Sequence, residues 1–196
     1  MLVLFSRVTA RVLLAVGLLA CGYAAYVAVD ATRYQAVGRE LIGQARHAPI
    51  AAVEPVDGSA IGEIRIERIG LAAVVAEGDS PVTLRRAVGH LAETPLPGSE
   101  GNVVLAGHRD TFFRPLKRIR AGDAITLTTS RGDFAYVVES MSVVSADDVE
   151  ALLPRDGRTL TLVTCFPFFY VGSAPDRFIV RARQIDGRQV QLRLSH

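Results

Sequence analysis

Apolar and polar positions change their rhythm twice along this chain. From Val12 to Val29 the run VLLAVGLLACGYAAYVAV carries no charge. As a helix it extends about 27 Å at about 1.5 Å per residue, enough to cross the hydrocarbon core of a bilayer. Arg7 and Arg11 precede the run and Asp30 follows it. A positive flank on that side predicts the N-terminus in the cytoplasm and everything after the span outside. A cleaved leader needs a small-x-small site, and the residues after Cys21 stay apolar without a convincing one. Leu18-Leu19-Ala20-Cys21 has the loose look of a lipoprotein processing site. The Gly-Tyr-Ala-Ala-Tyr-Val-Ala-Val that follows is too apolar for the start of such a mature chain, so an uncleaved signal-anchor is the preferred reading.

Beyond the span, Tyr34, Val37, Leu41 and Ile42 fall at near-helical spacing, which predicts a juxtamembrane helix or stalk over Thr32 to His47. Pro49, Pro55 and Gly58 mark Ala48 to Ser59 as a linker. From Ile61 the pattern becomes short β-like runs between turns. The candidate strands are Ile61–Ile66, Leu71–Ala76, Asn102–Gly107, Asp123–Thr129, Asp133–Val144, Thr159–Cys165, Arg177–Ile185 and Gln189–Leu194. In Asp133–Val144 the residues Phe134, Tyr136 and Val138 share a face. In Thr159–Cys165, Leu160, Leu162 and Thr164 are set against Thr161, Val163 and Cys165. Short helices are predicted at Thr83–Val88, at Phe112–Ile119 with Asp110 or Thr111 as cap, and at Asp147–Leu152. Many short strands with few helices predict a mainly β domain closed into a barrel, preceded by one transmembrane helix. The organisation is therefore residues 1–30 as cytoplasmic tip and anchor, 31–60 as stalk and linker, and 61–196 as the folded domain. On that division a chain beginning near Ala48 is expected to be soluble and active, since span and stalk lie outside the barrel region.

About half of the residues are apolar, so a sizeable core is available. The formal net charge of +2 gives no case for a nucleic-acid partner. Cys21 lies in the anchor, which leaves Cys165 as one thiol in the domain and excludes a disulfide framework. No His, Cys and carboxylate groups fall at zinc spacing, and there is no phosphate loop. Glu77, Asp79, Glu93 and Glu100 could bind calcium in loops but lack a recognisable ligand pattern, which leaves calcium possible and unsupported, with no cofactor expected to be required.

Three residues carry candidate chemistry. Cys165 ends a strand-like run and is followed by Phe-Pro, which stops the strand and opens a loop. An isolated cysteine is more often a small buried hydrophobe, so context decides. His108 also ends a strand-like run, after Gly107, and its polar neighbours make a solvated loop the bland alternative. Paired with a thiol, an imidazolium stabilises the thiolate and supplies an acid for a leaving amine. Arg177 begins a strand beyond the loop Phe166 to Asp176. A guanidinium there is not a base but can stabilise a developing oxyanion. A surface pair with Asp176 is the alternative. His47, His90 and His196 sit beside none of these motifs.

Taken together, the three match a known pattern. Thr161-Leu162-Val163-Thr164-Cys165 resembles the sortase signature Thr-Leu-x-Thr-Cys. Ala106-Gly107-His108-Arg109-Asp110-Thr111 resembles the sortase histidine loop, and Arg177-Phe178-Ile179-Val180 the strand start bearing the family's arginine. The order His, Cys, Arg is the family's, over roughly Ile61 to Ile185. The sequence Phe-Pro-Phe-Phe-Tyr-Val-Gly-Ser-Ala-Pro after the cysteine is most similar to class D sortases. The resemblance implies an eight-stranded barrel on a bacterial cytoplasmic membrane. It implies cleavage of a Leu-Pro-x-Thr-Gly-like signal on secreted proteins through a thioacyl intermediate on Cys165, resolved by an amine acceptor of the cell envelope or of another protein. Thr164, Phe166, Asp110 and the loop Phe166 to Asp176 would line the substrate groove. Leu96-Pro97-Gly98 is not a sorting signal, so the chain reads as the enzyme and not its substrate.

Other readings fit less well. An L,D-transpeptidase has histidine and glycine just before its cysteine, whereas Val163-Thr164 stand here. A papain-like protease has its cysteine before its histidine. From a different class, a non-catalytic membrane-tethered β-domain binding cell-envelope polymer would need Cys165 merely buried.

Overall fold

A computed structural model describes residues 2–46, 54–148, 152–153, 156–170 and 172–185. The alternating runs from residue 60 onward form eight strands: β1 (Ala60–Ile66), β2 (Leu71–Glu77), β3 (Val88–His90), β4 (Gly101–Ala106), β5 (Ala124–Thr129), β6 (Gly132–Ser145), β7 (Arg158–Phe166) and β8 (Asp176–Ile185). They close into a barrel in the order β1-β2-β3-β4-β7-β8-β6-β5. The pairs β2·β3 and β4·β7 are parallel. The other neighbours run antiparallel. The closed, mainly β architecture expected from the sequence is the one observed.

Strand alternation places the core. Ile64, Ile66, Leu71, Val75, Leu105, Leu127, Leu160, Leu162 and Val180 all point inward and are shut from solvent. Each such side chain contributes roughly 1.5–3 kcal/mol relative to exposure.

Two expectations need correction. The segment Thr83–Val88 is not one helix. The helix α2 spans Pro81–Arg86, started by Ser80, whose Oγ accepts from the Thr83 N–H at 3.2 Å, and by Pro81 in its first turn. Ala87 then turns extended and Val88 opens β3. Around Phe112–Ile119 the structure is a short 3-10 helix, Arg114–Arg118, and neither Asp110 nor Thr111 caps it. The chain enters through a turn in which the Thr111 and Phe113 N–H groups both donate to the His108 carbonyl, at 3.3 and 3.1 Å. Ala146 and Asp147 lie in a turn. The rest of the helix expected over Asp147–Leu152 falls largely outside the described residues. So do the strand expected at Gln189–Leu194, and His47 and His196.

The helix expected over Thr32 to His47 is present as far as Ala45. Anchor and stalk form one unbroken helix, α1 (Leu2–Ala45), of 44 residues, about 66 Å long at about 1.5 Å per residue. It is long and apolar enough to cross a membrane, and its first part is bare: Leu13, Leu14, Leu18, Leu19 and Tyr23 are all exposed. Its last part lies on the barrel. The Gln35 side chain accepts from the Val74 N–H at 2.9 Å and donates to the Arg86 carbonyl at 2.8 Å. Arg86 pairs with Asp30 at 2.6 Å, and Arg39 with Glu63 at 3.1 Å. Val74 faces away from the core yet is fully buried, because the helix covers it. Gly38 permits the approach: a Cβ there would stand 3.0 Å from a Val74 methyl. A chain beginning at Ala48 would therefore keep all eight strands but lose the helix packed on their outer face.

Candidate active site

Strand direction gathers the three candidate residues on one rim of the barrel. β4 and β7 are parallel neighbours, so their C-terminal ends lie together. β8 runs antiparallel to β7 and begins at that same end. His108 follows the end of β4, Cys165 lies near the end of β7, and Arg177 lies near the start of β8.

On β7 the alternation decides which way the thiol faces. Leu160, Leu162 and Thr164 point inward and are buried, while Cys165 takes the opposite face with Val163 and is half-exposed. Cys165 and Arg177 are register partners across β7 and β8. Residues directly opposite one another share a face, with Cβ atoms about 4.5–5.5 Å apart. The Arg177 Nη1 donates to the Ala174 and Asp176 carbonyls at 3.2 and 3.0 Å. The guanidinium thus holds the backbone of its own turn; no ion pair to the Asp176 carboxylate occurs among the described residues.

His108 is positioned from both sides. The Gly107 N–H donates to the Val163 carbonyl at 3.1 Å, extending the β4·β7 pairing one step past the strand. The Thr164 hydroxyl donates to the Gly107 carbonyl at 2.7 Å. Gly107 is required there, since a Cβ would meet the ring of buried Phe113 at 2.8 Å. His108 itself stands exposed, directly after the glycine stapled to the strand of the thiol.

The proposed groove residues have distinct settings. Thr164 is 2% exposed, and its hydroxyl is engaged with Gly107. Phe166 sits half-buried in an aromatic group, with ring centroids 6.0 Å from Phe168 and 6.3 Å from Phe178. Asp110 is exposed, 3.6 Å from the Arg109 Nε.

Two polar groups escaped the sequence reading. Arg109 is buried and its Nη2 donates to the Tyr170 and Gly172 carbonyls, at 2.7 and 3.2 Å. It thereby ties the loop after Cys165 to the loop after His108. Its only signal in the sequence is adjacency to His108. His90 is buried at the end of β3, with Nδ1 2.9 Å from Glu77 and Nε2 3.1 Å from both Thr94 Oγ1 and the Pro95 carbonyl. It braces β2 against the turn into β4, and nothing in the local sequence marks that role. Among the described residues no three His, Cys, Asp or Glu side chains gather as a metal site.

A half-exposed thiol, an imidazole and a guanidinium delivered to one rim by neighbouring strands are suited to the nucleophilic chemistry of a cysteine enzyme. A sortase-domain family model matches residues 64–185, and the chain belongs to the sortase family of cysteine transpeptidases. It is similar to Sortase D of Bacillus subtilis, at 35% identity over 136 residues, 69% of each chain. It is similar to Sortase SrtE1 of Streptomyces coelicolor at 34% over 154 residues, covering 69% of this chain and 42% of that one. Among solved structures, a Clostridium perfringens Sortase D5 transpeptidase superposes with a TM-score of 0.62 at 35% identity, over 68% of this chain and 83% of its own.

Proposed function

We propose that this chain is a membrane-anchored sortase that cleaves a Leu-Pro-x-Thr-Gly-like sorting signal and transfers the upstream protein to an amine. The observation that carries this reading is the meeting of the β4, β7 and β8 ends, with Cys165 outward and opposite Arg177.

The Cys165 thiolate attacks the carbonyl carbon of the signal's threonine. The oxyanion that forms is met by the Arg177 guanidinium, whose donors suit a developing negative charge. As the tetrahedral intermediate collapses, His108 gives its proton to the departing amine and the acyl group remains on Cys165 as a thioester. An acceptor amine of the cell envelope or of another protein then attacks. His108 takes its proton, and the new amide leaves as the thiolate is restored. Only proton and acyl transfers occur, so no cofactor is needed. Phe166, Asp110 and the loop from Phe166 to Asp176 border the signal, whereas Thr164, expected in the groove, is turned inward and acts from behind by holding the Gly107 carbonyl. The apolar part of α1 spans the cytoplasmic membrane once, with Arg7 and Arg11 inside and the barrel outside.

The test is mass spectrometry of the detergent-solubilised chain, incubated with a panel of sorting-signal peptides and then with amines. A thioacyl adduct on Cys165, discharged by the amine, is expected. An unreactive thiol and no adduct with any peptide would return the chain to the polymer-binding alternative.

A further inference from the structure

Beside the reacting rim lies a cavity of about 450 Å³ whose walls are Arg109, Asp110, Arg114, Lys117, Phe168, Phe169 and Tyr170. One wall belongs to the segment that follows His108 and the other to the loop that follows Cys165. The charge is unbalanced: three cations face one acid. Among the described residues neither Arg114 nor Lys117 has a carboxylate partner. Asp110 is a poor internal counter-ion, since its side chain is 74% exposed and 3.6 Å from the Arg109 Nε.

Arg109 makes the imbalance sharper. Its side chain is only 8% exposed, its Nη2 is committed to the loop carbonyls, and its buried Nη1 has no hydrogen-bond partner. Arg109 thus lends its charge from behind the wall, and the exposed Arg114 and Lys117 are the cations an incoming acid can touch. Aromatic rings hold the cations in place: the Lys117 Nζ stands 5.1 Å from the Phe169 centroid, and the Arg109 Cζ 5.8 Å from that of Tyr170.

We propose that this cavity is a carboxylate-binding subsite that seats an acid group carried by one of the two transpeptidation partners. The inference rests on the transpeptidase reading above, because it is the location beside His108 and Cys165 that makes the occupant a reaction partner. Guanidinium forks and an ammonium match a carboxylate, and both partners are of peptide or amine chemistry. Two sources supply such a group: an acidic side chain of the sorting signal, or a carboxylate next to the acceptor amine.

The experiment uses the full chain in detergent and two matched pairs. The peptide arm compares sorting peptides with Glu and with Gln flanking the scissile bond, read as the rate of thioacyl formation. The acceptor arm compares diglycine with its C-terminal amide, read as the rate of amide product. A preference for the acid of about tenfold in one arm is expected, equivalent to about 1.4 kcal/mol, and that arm identifies the source. The preference should shrink at high salt. In the double variant Arg114→Gln, Lys117→Gln the acid-to-neutral ratio should fall towards one, and Lys117→Glu should push it further in the same direction. Both positions are exposed, so the ratio is readable in a folded protein. Acid and neutral partners reacting alike in both arms, or a preference that survives the double variant, would overturn the subsite while thioacyl formation leaves the transpeptidase reading standing. Absence of any thioacyl adduct overturns both.

Discussion

The outward parity of Cys165 sets what its loss should do. A thiol that faces away from the core contributes nothing to the packing inside the barrel, so Cys165→Ala should abolish thioacyl formation while the melting temperature stays within a few degrees of wild type. Unfolding of that variant would make the thiol a core residue after all. Arg177 presents a finer question. Its Nη1 serves the Ala174 and Asp176 carbonyls, leaving the rest of the fork for an oxyanion. A lysine ammonium cannot reproduce both contacts in one plane. Arg177→Lys is therefore expected to lower kcat roughly 100-fold with KM little changed, as for loss of an oxyanion donor. Wild-type turnover would remove Arg177 from the mechanism. Thr164 separates two roles. Thr164→Val keeps the shape but strips the Gly107 carbonyl of its hydroxyl donor, a loss of roughly 1–3 kcal/mol for an unsatisfied buried group. If the threonine acts by holding the His108 loop, kcat should fall with KM unchanged. A raised KM alone would instead mark it as a groove contact.

At the scale of elements, what could be read from the chain depended on how local the cause was. Seven strands announced themselves through alternation and flanking glycines, and their ends already held His108, Cys165 and Arg177. β3 did not, because three residues, Val88-Gly89-His90, are too few to show a period and follow directly on a helical stretch. The meeting of β4 with β7 was invisible too, since a parallel pair of distant strands leaves no mark in either one. The same holds for Gln35 on Val74 and for Arg109 on the Tyr170 carbonyl: each is a single side chain reaching a remote peptide group. The docked part of α1 yields its own test. Compared with a chain beginning at Val29, one beginning at Ala48 leaves the Val74 N–H without its acceptor and uncovers the Val74 side chain. It should melt several degrees lower. Equal melting temperatures would show that the helix adds nothing to the barrel.

Closure of the barrel brings one ionic contact into play for the molecule as a whole. Asp123, at the entrance to β5, accepts from Arg68 Nε and Nη2, the latter at 2.7 Å, and from the Arg120 N–H at 2.8 Å. Burial alone would raise its carboxyl, but the Arg68 hydrogen bonds, the Arg120 N–H and the charges of both arginines together hold it below the usual carboxylate value. A depressed folded value means stability present above the unfolded pKa and lost as pH falls through the folded one. Thermal stability should thus decline below about pH 4, and Asp123→Asn should be less stable at neutral pH with a shallower acid decline. An identical acid slope in the variant would sink this account.

The helix that runs unbroken from the apolar segment onto the barrel has a mechanical consequence in the proposed membrane setting. A floppy tether lets its head sweep a dome, but a rod glued to its cargo has no swivel. The height and tilt of the reacting rim over the bilayer are then set by the length and direction of a single helix. Such an enzyme works as a fixed station. Partners borne in the membrane reach it by two-dimensional diffusion and must present their reacting bond at one height, so register with the bilayer becomes a selection rule beside the chemistry of the groove.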